Sequence, residues 1–158
     1  MRQQPVVAAG VVVAVVAYAV LATRWVSADP GWYASLDKPA WQPPDWVFGV
    51  AWPYNFLAIA VAGVTLALRA PARTSGVWLA VLVADVALAL TWAYLFYVPH
   101  ALWPAACALG AGALLAWVLA AVAWRALPWT GWVLLPYALW LTVATSLAVG
   151  FASRRTPA

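Results

Sequence analysis

Three tryptophans, Trp52, Trp92 and Trp140, stand about two or more turns inside long apolar runs of a 158-residue chain that holds 13 Trp in all. Helical spacing extends each of them. Phe56 follows Trp52 by four; Asp85, Leu88, Trp92 and Phe96 make a stripe; Tyr137, Trp140 and Ala144 make another. Rings ranged along three helix faces either pack a core or line a cavity for a large, planar, hydrophobic ligand held by stacking and edge contacts. Spacing leaves both readings open. The tryptophans nearer the ends of the runs, Trp25, Trp78, Trp103, Trp124, Trp129 and Trp132, suit a membrane interface, where the ring is apolar and the indole N–H reaches water or headgroups.

Asp85 shares a face with Trp92, about ten residues into its run. A carboxylate at that depth costs roughly 2.5–3.5 kcal/mol on insertion scales, so it faces a bundle interior or a wet cavity. It either serves a ligand or stays protonated and bonds across helices. Other chemistry is sparse. His100, the one histidine, sits in a turn with no second His or Cys at ligand spacing, so no metal site is expected. Cys107, mid-run, reads as a small packing residue rather than a haem ligand. No nucleophile is paired with a base, and no glycine-rich phosphate loop precedes a helix. Hydrolysis and phosphoryl transfer are therefore not expected.

The elements that must position these rings follow from composition. Hydrophobic residues make up 68% of the chain and charged ones 8%, with a mean hydropathy of +0.92. A soluble core does not need that; lipid is the solvent. Spanning the hydrocarbon takes about 20 apolar residues as helix, and long uninterrupted runs select helices over a barrel. Five runs are expected, at 5–23, 46–68, 76–97, 101–124 and 129–152, making an all-α bundle of five transmembrane helices in a single domain. Pro, Gly and Arg break the chain at 69–76, 98–104 and 125–131, and these short connections predict antiparallel neighbours. The first run is longer than the ~7–15 residues of a secretory core and reads as a retained helix.

Charge adds little. The net +4 comes without a basic stripe, which excludes a nucleic-acid partner. Arg2, Arg69, Arg73 and Arg125 flank one side and Arg24, Lys38, Arg154 and Arg155 the other, so the positive-inside count is tied and orientation stays open.

Only the connection 24–45 is long, and it is rich in Trp and Pro. Its KPAWQPPDW segment cannot be helical through Pro43 and Pro44, so it predicts an extended or turned lid, with the next helix starting near Asp45 as N-cap. Pro53 and Pro136 mark candidate kinks beside Trp52 and Tyr137. In the fourth run Ala108, Gly112, Ala116 and Ala120 repeat small residues every fourth position, which fits close helix approach within the chain or across a homodimer.

The spacing Trp32, Tyr33, Leu36, Lys38, Pro39, Trp41, Pro43, Pro44, Phe48, Trp52 resembles the signature of the TspO/MBR family, the tryptophan-rich sensory proteins related to the translocator protein or peripheral benzodiazepine receptor. Pro136, Tyr137, Trp140, Ala144, Thr145 and Leu147 resemble a second family motif, and Trp92, Phe96 and Tyr97 a third. The resemblance implies a bundle, commonly dimeric, whose long first loop covers a pocket for porphyrins and benzodiazepine-type or isoquinoline ligands. Carried over by position, it implies pocket positions at Tyr33, Pro43, Pro44, Trp52, Phe56 and Trp140; with the motif residue Trp41 and the stripe residues Asp85, Trp92, Phe96 and Ala144, these are the expected ligand contacts. It also implies light- and oxygen-dependent porphyrin breakdown in some bacterial members, for which Trp52 and Trp140 would be the catalytic rings. The sequence departs from the family at Asp85, where Gln is frequent, at Ala89 and Ala148, where Asn is, and at Pro53, where Thr is. The expectation is a multi-pass receptor or sensor of a bacterial cell membrane that binds porphyrin or haem as ligand, requires no cofactor, and forms a homodimer in the lipid bilayer. A light-dependent porphyrin-degrading enzyme is the alternative, and a transporter of such ligands a third.

Overall fold

The computed structural model describes residues 3–154, so Arg2 and Arg155 lie outside the described residues. Six helices follow in order: α1 (Gln3–Val26), α2 (Pro30–Ala34), α3 (Asp45–Arg69), α4 (Ala72–Tyr97), α5 (Leu102–Ala126) and α6 (Pro128–Arg154). All but α2 are apolar enough to cross a membrane, at 23 to 27 residues each. At 1.5 Å per residue such lengths exceed the ~30 Å hydrocarbon core. Each run is longer than expected from composition, because the end turns hold Arg, Asp and Trp that are helical but not lipid-soluble.

Prolines set where helices begin. Pro44 (φ −55°, ψ 149°) and Pro71 (φ −55°, ψ 142°) hold extended backbone, and α3 and α4 start at the next residue. Asp45 is therefore the first helical residue rather than the expected N-cap, and its carboxylate complements the positive helix end without a capping bond. Pro128 opens α6 in the same way after the extended Leu127. Neither Pro53 nor Pro136 ends its helix. Near Pro136 the Val133 carbonyl accepts the Tyr54 hydroxyl at 3.1 Å, so α3 supplies a polar group beside the disturbed ladder.

The bundle closes as a ring. α5 packs between α4 and α6, α1 joins α4 to α3, and α3 returns to α6. Connection length alone predicted α3 and α4 as neighbours; they touch at the Trp52–Trp92 pair and at the Gly63–Trp78 contact, though each packs more extensively on α1. There Gly63 lets the chain close: a Cβ on it would lie 2.5 Å from Trp78 Cζ3 and 2.7 Å from Val11 Cγ1. Trp78 is buried and donates its indole N–H to the Leu119 carbonyl at 3.0 Å, which corrects its reading as an interfacial residue. The small-residue face of α5 is used inside the chain. Gly112, Ala116 and Ala120 are buried, and a Cβ on Gly112 would meet Leu88 and Asp85 at 3.6 and 3.7 Å. Cys107 faces outward instead of packing. Val13, Val20, Leu57 and Leu114 also face outward, onto lipid rather than water.

The connection 24–45 is helical only ahead of its proline-rich part. α1 runs to Val26 and α2 forms a five-residue helix, while residues 37–44 are extended or turned as KPAWQPPDW predicts. Asp29 caps it, Oδ1 accepting the Trp32 N–H at 2.9 Å, and Pro30 takes the first helical position. From Leu36 the chain runs over α6, where Pro39 and Trp41 lie on Gly150; a Cβ there would come within 2.8 Å of Pro39 Cγ. The Arg154 guanidinium bonds Asp37 Oδ2 at 3.4 Å and the Lys38 carbonyl at 3.3 Å, fastening the lid to the end of α6.

Candidate functional site

Under α2 the bundle leaves a cavity of about 340 Å³, at the small end of the ligand-pocket range. α3 contributes Phe48 and Trp52, α4 contributes Trp92, Phe96 and Tyr97, and α6 contributes Trp140, Ala144, Leu147, Ala148 and Phe151. Tyr33 of α2 closes it, with Pro30 and Val26 beside it and Asp45 at the edge. Period and packing explain the wall. Phe48 and Trp52 are one turn apart, as are Trp92 and Phe96, and Trp140, Ala144, Leu147 and Phe151 follow one another at three or four residues along α6.

The rings form a continuous surface. Trp52 lies nearly parallel to Trp92 (centroids 6.4 Å, 20°) and perpendicular to Trp140 (6.3 Å, 87°), while Phe48 meets Trp140 edge-on at 5.2 Å. Toward the lid, Tyr33 sits 5.8 Å from Tyr97 and 6.0 Å from Phe151. Trp32 holds α2 down by stacking on His100 at 3.8 Å and 11°. His100 has φ 56°, a left-handed turn uncommon for a residue with a side chain, and that turn presents its ring to the lid. Burial, and secondarily the Asp45 carboxylate, raises the Tyr33 phenol above its ordinary value of 10.0, so this wall stays neutral at pH 7.

Two polar atoms in this wall lack protein partners. The indole N–H groups of Trp92 and Trp140 are buried without a hydrogen bond among the described residues. A buried donor left unpaired costs about 1–3 kcal/mol, so each of the two carries a standing penalty. The lining offers phenols at Tyr33 and Tyr97 but no imidazole or thiolate. Among the described residues no group of three His, Cys, Asp or Glu could hold a metal.

The structure brings Tyr33, Trp52, Trp92, Phe96, Trp140 and Ala144 together on the cavity and places five other candidates off it. Trp41 lies outside α6, 54% exposed, its indole N–H reaching Ser146 Oγ at 3.3 Å and its ring under the Arg154 guanidinium. It fastens the lid and does not wall the cavity. Pro43 and Pro44 form the approach to α3. Phe56 is one turn below Trp52, stacked on it at 5.8 Å and edge-on to Tyr18 at 5.1 Å, so it backs the wall. Asp85 is fully buried, two turns deeper than Trp92, and its Oδ2 accepts the Tyr137 hydroxyl at 2.6 Å. It joins α4 to α6 beneath the cavity floor, while its Oδ1 is buried with no hydrogen-bond partner among the described residues.

Sequence reasoning missed Val26, Pro30, Asp45, Phe48, Tyr97, Leu147, Ala148 and Phe151 among the lining residues. Phe48, Tyr97 and Leu147 were readable as motif positions. Phe151 was readable only by extending the α6 stripe two turns past Ala144.

Comparison with known proteins gives a match to the model of the TspO/MBR family over residues 7–154. Protein CrtK of Rhodobacter capsulatus is 33% identical over 137 residues, 80% of this chain and 79% of that protein. A tryptophan-rich sensory protein of Cereibacter sphaeroides is 32% identical over 119 residues, covering 73% and 72% of the two chains. The translocator protein of Ovis aries is 31% identical over 120 residues, covering 73% and 70%.

Proposed function

The chain belongs to the TspO/MBR family and is a multi-pass integral membrane protein, and from that footing we propose that it is a receptor for a flat, apolar ligand of the tetrapyrrole class, porphyrin or haem. One observation carries this reading: a ring-walled cavity, two of whose lining residues, Trp92 and Trp140, carry buried indole donors with no partner among the described residues. Ring faces suit a conjugated macrocycle, and the N–H groups suit its carboxylate or carbonyl acceptors. With no imidazole or thiolate in the lining, the walls grip the ring and its edge rather than a metal at its centre. A cavity of 340 Å³ encloses only part of such a ligand, so binding displaces α2 and the lid segment seated on Gly150.

Titration with protoporphyrin tests the reading. Saturable, micromolar quenching of Trp fluorescence is expected, and unchanged binding in Trp52→Ala, Trp140→Ala would remove the ligand from this cavity. The perpendicular contact of Trp52 and Trp140 also supports a second reading, in which bound porphyrin is degraded under light and air with these rings as electron donors. There porphyrin absorbance decays faster with the protein than with the double variant; equal decay rejects it. The two bacterial relatives support a bacterial cell membrane as the location. A homodimer remains part of the proposal, read by the mass of the protein in detergent. Its contact must use a face other than the buried side of α5.

A further inference from the structure

At the end of the bundle away from the lid, a second concavity of about 330 Å³ opens between the last turns of α5 and the first turns of α6. Trp117, Ala121 and Trp124 form one wall, Gly131 and Leu135 the other, and Arg125 is the single charged residue in the lining. The walls are fixed. Trp117 donates its indole N–H to Thr142 Oγ1 at 3.1 Å, and Trp124 packs against Trp132 with centroids 4.2 Å apart. Gly131 allows the helices to meet there, since a Cβ on it would lie 2.6 Å from Trp124 Cβ and 2.8 Å from its Cα.

This groove faces out of the bundle: Trp117, Ala121, Trp124 and Arg125 are all exposed. On a helix face bathed in lipid, the apolar material that fills a groove is an acyl chain. Charge then selects the headgroup. The two ion pairs among the described residues, Lys38–Asp45 and Arg154–Asp37, lie at the lid end. Arg69, Arg73 and Arg125 stand exposed at the opposite end, and the four acids of the chain, Asp29, Asp37, Asp45 and Asp85, lie elsewhere. Exposed Trp129 and Trp132 beside the groove are the ring types that settle at headgroup depth, so Arg125 stands where a lipid phosphate would be.

We propose that this groove is a specific site for an anionic phospholipid, one acyl chain lying against Trp117, Ala121 and Leu135 and the phosphate held by the Arg125 guanidinium. A bidentate guanidinium–phosphate contact gives the site its geometry. The two neighbouring arginines raise the local concentration of anionic lipid without entering the groove. The site is independent of the cavity under the lid, and it stands whether or not a tetrapyrrole binds there.

Native mass spectrometry of the full chain, released from detergent containing equal phosphatidylglycerol and phosphatidylcholine, tests it. One phosphatidylglycerol should be retained with about fivefold preference, the effect of one basic residue near a membrane surface. Arg125→Gln should equalise the two lipids while keeping a bound chain. Ala121→Trp, which fills the groove, should lose both, and Arg69→Gln with Arg73→Gln should keep the preference. Inorganic phosphate should not compete, because the chain supplies most of the contact. Equal retention by the unaltered protein, an undiminished preference in Arg125→Gln, or displacement of the lipid by free phosphate or by protoporphyrin would overturn the assignment. Arg125 and Ala121 are exposed, and an unchanged thermal midpoint in both variants confirms that folding is not what the experiment reads.

Discussion

The two ends of this bundle use tryptophan in opposite ways. Away from the lid, Trp78 is packed against Gly63, its N–H is bonded to Leu119, and the surrounding Ala, Leu and Gly leave the interior closed. Under the lid, Trp52 meets Trp92 and Trp140 at 6.4 and 6.3 Å around a cavity, and the N–H groups of Trp92 and Trp140 have no partner among the described residues. In the proposed reading, identical chemistry serves stability where the partner comes from the chain, and binding where the partner is left to a ligand. The difference lies in the residues opposite. Glycine at 63 admits a ring completely, whereas ring against ring cannot fill space without gaps.

Substitutions should separate the two ends. Trp78→Ala should have the largest effect, a loss of about 3–5 kcal/mol of stability from the cavity it leaves, read as a lowered thermal midpoint in detergent with the ligand contacts themselves untouched. Next, Tyr137→Phe strips Asp85 of its hydroxyl donor and should cost about 1–3 kcal/mol; Tyr137→Phe with Asp85→Leu should recover part of that, and a double variant as unstable as the single one would contradict the structural role given to the pair. Trp92→Phe and Trp140→Phe, which keep a ring and remove an unpaired N–H, should leave the midpoint nearly unchanged. Smallest is Arg154→Gln at the lid fastening, worth about 0–1 kcal/mol because the pair is partly solvated. Its expected readout is faster release of bound protoporphyrin in stopped flow, and a release rate equal to that of the unaltered protein would mean that Arg154 does not hold the lid.

Much of the fold was legible because the solvent is lipid. Each span had to be a long apolar helix, and Pro44 announces where α3 starts, whereas α4, which starts just after Pro71, was expected only from residue 76. The order of helices around the ring was not legible: α4 lies beside α1 through contacts distant in sequence, and no local pattern reports them. Trp78 was misread for the same reason, since its end-of-run position looks interfacial until Gly63 is seen to face it. The short helix α2 was signalled by Asp29 and Pro30 but hidden in a segment whose later prolines argue for extension. Within the site, periodicity found the rings on α3, α4 and α6. It could not tell that the cavity stops above Asp85, or that Trp41 turns outward, because depth and lid path depend on packing.

Binding of protoporphyrin to Trp92→Phe, Trp140→Phe set beside Trp78→Phe is the most direct test of the central claim, that the unpaired indole donors hold a ligand. The pair under the lid should weaken binding about tenfold or more while leaving the thermal midpoint in place, and Trp78→Phe should lower the midpoint while leaving affinity intact. Equal affinity in the unaltered protein and in Trp92→Phe, Trp140→Phe would contradict it.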